Sequence, residues 1–119
     1  MTRARVIAQA VVPGWHCWQG APPEVAYLGT PHRHLFTFRV EVVVGHDDRQ
    51  VEFHLLRAWM VQQLSTWPAV EYGADGVNFG GSSCEALGRW LLGQSFNGTP
   101  LDAVEVWEDG ECGARVERA

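Results

Sequence analysis

The sequence contains no lysine, and its nine basic residues are arginines spread along a chain of 119 residues. Fourteen acidic residues outnumber them, which gives a formal net charge of −5 at pH 7. Proteins that bind nucleic acid carry a clustered basic patch, because contacts with phosphates supply much of their affinity. The composition therefore argues against nucleic acid as a partner.

Cysteines and long apolar runs are also scarce. Cys17, Cys84 and Cys112 are odd in number and widely spaced, which does not make a disulfide framework and indicates a reducing compartment. The basic, partly apolar N-terminal stretch is interrupted by Gln9 and is too short for a signal peptide or a membrane span. We expect a soluble, cytoplasmic protein with no membrane partner.

Length and an apolar content of 46% predict one globular domain, 1–119. A chain this short often gains stability by assembling with copies of itself. Residues 4–12 read as a first strand that Pro13-Gly14 interrupts, and residues 15–18 are a candidate continuation after a bend. From residue 34 to 44 apolar and polar residues alternate, which predicts a long strand with one face in the core.

Two helices are predicted after that strand. The first covers residues 51–67 and ends before Pro68, because apolar residues recur at helical spacing: Phe53, Leu56, Met60 and Leu64. Ser82 and Glu85 form a capping-box pattern, in which the serine hydroxyl accepts from the amide of the glutamate, and this pattern predicts the start of the second helix.

The C-terminal residues 101–118 read as two strands joined at Asp109-Gly110. Gly-rich or Pro-rich loops are expected at 19–31 and 69–81. This order of elements predicts an α+β domain, with an antiparallel sheet covered by helices on one face.

The histidines carry the first functional signal. His32 and His34 lie two apart on a predicted strand, so both side chains point to the same side, as in strands that present two imidazoles to a metal. His16, beside the first strand, is the best third ligand, because an antiparallel neighbour brings it alongside. The alternative is that these histidines only bond loop carbonyls, and spacing alone leaves both interpretations open.

A cupin also binds metal through H-x-H, but it needs a glutamate on the same strand face. Glu41 lies at an odd offset from His34 and faces the other way, and two interior helices fit a jelly roll badly.

The motifs together resemble the 6-pyruvoyl-tetrahydropterin and 6-carboxytetrahydropterin synthases. PHRHLFTFRVEVVVG followed by QVEFHLLRAWM is similar to the H-G-H strand and following helix of that family. GWHCW, SSCEALGRWL and AVEVWEDGECGARVER resemble its first-strand end, second helix start and last strand pair, in the same order over about residues 11–119.

The resemblance implies the tunnelling fold (T-fold), a four-stranded antiparallel sheet with two helices on one face. Several subunits of that family close their sheets into a barrel, commonly a homohexamer. The implied reaction is a zinc-dependent lyase reaction on 7,8-dihydroneopterin triphosphate or a close analogue, in pterin or queuosine (deazaguanine) synthesis. By this resemblance the zinc ligands fall on His16, His32 and His34, and the glutamate that binds the pterin ring falls on Glu108.

The chain departs from the family pattern at the groups that move protons. The family's cysteine before H-G-H and its Asp-His pair after the first helix are missing here. Glu24, in the loop before His32, is a candidate base, Glu71 lies near the place of the missing aspartate, and Cys17 is a further candidate that a regular strand would turn away from His16.

The chain is therefore expected to be such a lyase with a replaced base or a changed substrate, or a non-catalytic protein that binds zinc and a pterin-like or purine-like ligand. A plain assembly protein without a ligand is the third alternative.

Overall fold

The computed structural model describes residues 2–67, 73 and 75–119. In this part of the chain it contains seven strands, two α-helices and one 3-10 helix, which follow one another in this order: β1 (Ala4–His16), the 3-10 helix (Pro23–Gly29), β2 (His32–Val44), α1 (Phe53–Ser65), β3 (Val77–Asn78), α2 (Cys84–Leu92), β4 (Ser95–Phe96), β5 (Thr99–Pro100), β6 (Ala103–Glu108) and β7 (Cys112–Glu117).

The main sheet has the strand order β3-β1-β2-β6-β7. Its four longer strands pair antiparallel, and the two-residue β3 adds a short parallel pairing with β1. Helix α1 packs against β1, and α2 packs against β6 and β7. The predicted α+β class is confirmed, and the described sheet is open within one chain. Neither described α-helix has the length and apolar character needed to cross a bilayer.

The predicted alternation along β2 is confirmed. Its core face consists of fully buried side chains: Phe36, Phe38, Val40 and Val42. Leu56, Met60 and Leu64 of α1 are also buried, as their helical spacing predicts. Burying one such side chain stabilises a domain by roughly 1.5–3 kcal/mol. This core fixes which side of β2 faces the helices, and therefore which way His32 and His34 point.

Strand β1 does not stop at Pro13-Gly14, so that prediction was wrong. Its pairing with β2 is continuous from Ala4↔Val44 to His16↔His32. Proline is tolerated in a strand with a partner mainly on one side, and β1 has only the short β3 on the other. Gly14 packs so closely that an added Cβ would lie 2.5 Å from a ring carbon of Phe79 and 2.8 Å from one of Phe36.

The capping box at Ser82 was wrong by one residue. Ser83 is the N-cap of α2, and its hydroxyl accepts from the amide of Ala86 at 3.1 Å. The N-terminus of α1 is capped by Glu52, whose carboxylate accepts from the amides of His54 and Leu55. Pro68 and most of the loop predicted at 69–81 lie outside the described residues.

Candidate metal centre

Three histidines meet where β1 ends and β2 begins. Register pairs His16 with His32 directly, and His34 follows two residues along β2 on the same face. Their ring centroids are 4.5 to 5.3 Å apart, and one ligating atom from each lies within 4.8 Å of the others. The cluster predicted from H-x-H and His16 is confirmed as a group of side chains that could hold a metal ion.

The Nδ1 atom of each ring is engaged by an oxygen. His16 Nδ1 lies 2.9 Å from the Ser82 carbonyl, His32 Nδ1 lies 2.8 Å from the Thr30 carbonyl, and His34 Nδ1 lies 2.7 Å from a carboxylate oxygen of Asp109. Carbonyl and carboxylate oxygens only accept, so each Nδ1 donates its N–H. A neutral imidazole with its proton on Nδ1 has a free lone pair on Nε2, and this tautomer can bind a metal through Nε2.

Burial supports that neutral form at His16, which is 8% exposed. Desolvation lowers the pKa of His16 below its ordinary value, although the Ser82 carbonyl and the Glu108 carboxylate act in the opposite direction. The Nε2 atom of His34 is buried and makes no hydrogen bond to the described residues. Buried polar atoms are normally satisfied, so this lone pair fits a ligand at the point where the rings converge.

Glu108 lies against the same cluster from the end of β6, where it pairs with Phe36. Its Oε2 is 3.1 Å from Nε2 of His16, and its Oε1 is 3.6 Å from Nε2 of His34. The Cys84 thiol donates to Oε2 of Glu108 at 3.7 Å. Burial, and secondly the nearby Glu108 charge, raises the pKa of Cys84 to about 12, so this thiol stays protonated at neutral pH.

Asp109 is a site residue that the sequence analysis missed, because Asp-Gly was interpreted only as a turn. Its Oδ1 accepts from the amide of Leu35 at 2.8 Å, while Oδ2 accepts from His34. These two hydrogen bonds lower the pKa of Asp109, and the residue itself has a φ of 53° at the tight turn. The carboxylate therefore fixes both the ring of His34 and the start of β2.

A cleft of about 530 Å³ opens beside the cluster. Trp18 and Leu28 give it apolar surface, and His16, His32 and Glu108 give it polar groups. Binding sites for small molecules typically have volumes of about 300–1,000 Å³ and combine these two kinds of lining. The arrangement can therefore admit a small molecule next to a bound metal ion.

The candidate bases stand apart from this arrangement or outside the described residues. Glu24 is exposed on the 3-10 helix and is not among the residues that line the cleft. Glu71 belongs to the part of the chain that the structure does not describe. Cys17 is buried and lines the cleft, because β1 ends at His16 and the strand alternation does not extend to it. The roles of Glu24 and Glu71 stay predictions.

Fold and site together define an α+β protein with a candidate three-histidine metal centre. No protein-family model matches the chain, and no curated protein matches it.

Proposed function

We propose that the chain is a zinc-dependent lyase of the 6-pyruvoyl- and 6-carboxytetrahydropterin synthase type, acting on 7,8-dihydroneopterin triphosphate or a close analogue. The observation that carries the proposal is the set of three imidazoles, His16, His32 and His34, whose Nδ1 atoms are all engaged by oxygens. Three protein nitrogens with one further position are typical of catalytic zinc sites. The motif resemblance supplies the substrate class.

In this proposal different residues bind the metal, bind the substrate ring and exclude water. Zinc bound by the three histidines would act as a Lewis acid toward the side-chain hydroxyls of the substrate. The Glu108 carboxylate accepts the paired N–H groups of an aminopyrimidinone ring, which suits a pterin. Trp18 and Leu28 contribute apolar surface that excludes water from the ring.

Proton transfer in this proposal falls to Glu24 or Glu71. A carboxylate base works best near neutrality when burial raises its pKa, and a closed barrel of subunits would supply such desolvation.

Assembly is part of the proposal. The face of the sheet that carries no helix exposes large apolar side chains from three strands: Ile7, Val11, Leu35 and Trp107. Exposed apolar surface of this kind is normally covered in an assembly. We propose that copies of the chain close their sheets into a T-fold barrel, as a homohexamer like those common in the family that the motifs resemble.

A second candidate is a non-catalytic protein on the same fold that binds zinc and a pterin-like or purine-like ring. Two observations favour it. Glu108, which would bind the ring, lies beside the metal centre in contact with His16 and His34. Glu24, the candidate base that a lyase would need, is exposed and does not line the cleft.

Release of triphosphate separates the two candidates. The zinc-loaded protein is incubated with 7,8-dihydroneopterin triphosphate, beside His32→Ala and the control His54→Ala, which removes an exposed histidine of α1. The lyase predicts release by the native protein and the control, and loss in His32→Ala. Saturable binding of the substrate without release would establish the second candidate, and the absence of both binding and release would contradict both.

A further inference from the structure

Three histidines converge at the candidate metal centre, and Glu108 lies against two of them. The three Nδ1 atoms donate to oxygens, so the Nε2 atoms of the neutral rings offer lone pairs, and the oxygens of Glu108 are acceptors as well. Oε2 of Glu108 nevertheless lies only 3.1 Å from Nε2 of His16. Two acceptors repel each other at this distance unless a proton or a metal ion lies between or beside them.

The two distances from Glu108 to the histidines are close to those between ligands of one small metal ion. Ligands at about 2.0–2.1 Å from a tetrahedral zinc lie roughly 3.3 Å from one another. Glu108 lies 3.1 Å from His16 and 3.6 Å from His34, measured from its two oxygens to the Nε2 atoms. Both distances are close to the edge of such a tetrahedron.

We propose that Glu108 is the fourth ligand of the metal in the protein without substrate, and that the Cys84 thiol positions it. The inference rests on the metal centre of the proposed function and goes beyond it. In that proposal Glu108 holds only the substrate ring and leaves the fourth position open.

Cys84 acts on the carboxylate and not on the metal. The structure places the Cys84 thiol against the carboxylate, as a donor to Glu108. Its S–H reaches Oε2 of Glu108, which is the oxygen nearest to His16. Cys84 is therefore a positioning residue, which restricts the rotation of Glu108.

One carboxylate then has two competing partners. A carboxylate that binds the metal directs lone pairs of its oxygen at the cation, so a ring whose two N–H groups take both oxygens of Glu108 competes with the metal. A ring that takes up Glu108 opens the fourth position at the same time. Ring binding and access to the metal are coupled through this residue.

The test uses the Co²⁺-loaded chain, whose visible absorption reports on the ligands, with azide as the probe for an open position. Four proteins are compared: native, Glu108→Ala, Glu108→Gln and the control Glu111→Gln. The control removes the same charge from an exposed residue in the β6–β7 turn. Metal affinity is measured by competition with a chelator, and thermal unfolding shows whether each variant is folded.

The proposal predicts that azide leaves the spectrum of the native protein and of the control unchanged, and shifts that of Glu108→Ala. It also predicts that Glu108→Gln binds metal more weakly than the control by more than the roughly 10–100-fold that loss of an outer-shell partner costs. Cys84→Ala is expected to bring a partial azide response, which Cys84→Ser, with its hydroxyl donor, restores toward native.

Two outcomes would overturn the proposal in different ways. If the native protein binds Co²⁺ and responds to azide as Glu108→Ala does, or if Glu108→Gln matches the control in affinity, Glu108 is not a ligand and the three-histidine centre stands. If the native protein binds no metal, the centre itself fails, and the proposed function fails with it.

Discussion

Nδ1 of His34 lies 2.7 Å from Oδ2 of Asp109, while Oδ1 of the same carboxylate lies 2.8 Å from the amide of Leu35. A single side chain at the β6–β7 turn therefore orients an imidazole and holds the backbone at the start of β2. The other two rings are oriented by backbone carbonyls, from Thr30 and Ser82. The convergence of the rings depends on segments that lie far apart in the sequence.

Substitution of Asp109 should weaken metal binding. Asp109→Asn keeps an acceptor and tolerates the left-handed backbone at this position, but it removes the charge that makes His34 a stronger ligand. We expect metal affinity to fall about 10–100-fold with little change in thermal stability. Chelator competition measures this, with Asp47→Asn, an exposed aspartate of the β2–α1 turn, as the control. Equal affinity in Asp109→Asn and Asp47→Asn would contradict the role of Asp109.

Gly14→Ala should destabilise the fold that brings His16 to His32. The added Cβ would lie 2.5 Å from Phe79 and 2.8 Å from Phe36, and both rings are fully buried. Overpacking of this kind typically costs about 1–3 kcal/mol, so the free energy of unfolding measured in urea should fall by that amount. Gly45→Ala is the control, because the nearest atom to its Cβ would be 3.5 Å away. If both variants unfold at the same urea concentration, the close packing around Gly14 does not exclude a larger residue, which would contradict this prediction.

The ion pair between Glu41 and Arg115 should make stability depend on pH in the acid range. Hydrogen bonds from Arg115, at 2.6 and 2.9 Å, hold the pKa of Glu41 below its ordinary value of 4.5. A carboxylate with a lowered pKa in the folded state stabilises the fold above the unfolded-state pKa. That contribution is lost as the pH falls through the folded-state value.

Glu41→Gln should therefore lower the free energy of unfolding by about 1–3 kcal/mol at neutral pH, because the buried carboxylate makes charge-assisted bonds. The difference from the native protein should shrink below pH 4.5, as both chains come to carry a neutral group. Urea unfolding from neutral pH to about pH 3 tests this. A constant difference over the whole range would show that the charge of Glu41 does not contribute. Glu111→Gln, an exposed acid, should change little at any pH.

Alkylation should distinguish the two cysteines near Glu108. Burial raises the pKa of the Cys84 thiol to about 12, so at pH 8 the thiol is almost entirely protonated and iodoacetamide should leave it almost unmodified. Cys112 is exposed and should be labelled first. Mass spectrometry of peptides from the native protein gives the two rates, and labelling in urea provides the control in which burial is removed. Equal rates in the folded protein would contradict the protonated, hydrogen-bonded state of Cys84.

The sequence predicted the parts of the site that depend on periodicity. Alternation along β2 placed His32 and His34 on one face, and an antiparallel neighbour brought His16 alongside. Asp109 was missed because its role depends on tertiary register, which brings the β6–β7 turn to Leu35. Ser82 was interpreted as a cap, whereas Ser83 caps α2 and the Ser82 carbonyl bonds His16.

Pro13 shows the same limit in the fold. A Pro-Gly pair normally ends a strand, but the mainly one-sided pairing of β1 reduces the penalty for the missing N–H, and Gly14 leaves room for the close approach of Phe79. A local sequence pattern does not show which strands pair with β1 or which side chains pack against it.

The metal content of the purified protein tests the central claim most directly. Elemental analysis of the chain, dialysed after loading with zinc, should give close to one zinc per chain. The ratio should fall toward zero in His16→Ala, His32→Ala and His34→Ala and stay unchanged in His54→Ala. A native protein that retains no zinc, or single histidine variants that retain as much as the native chain, would contradict the account.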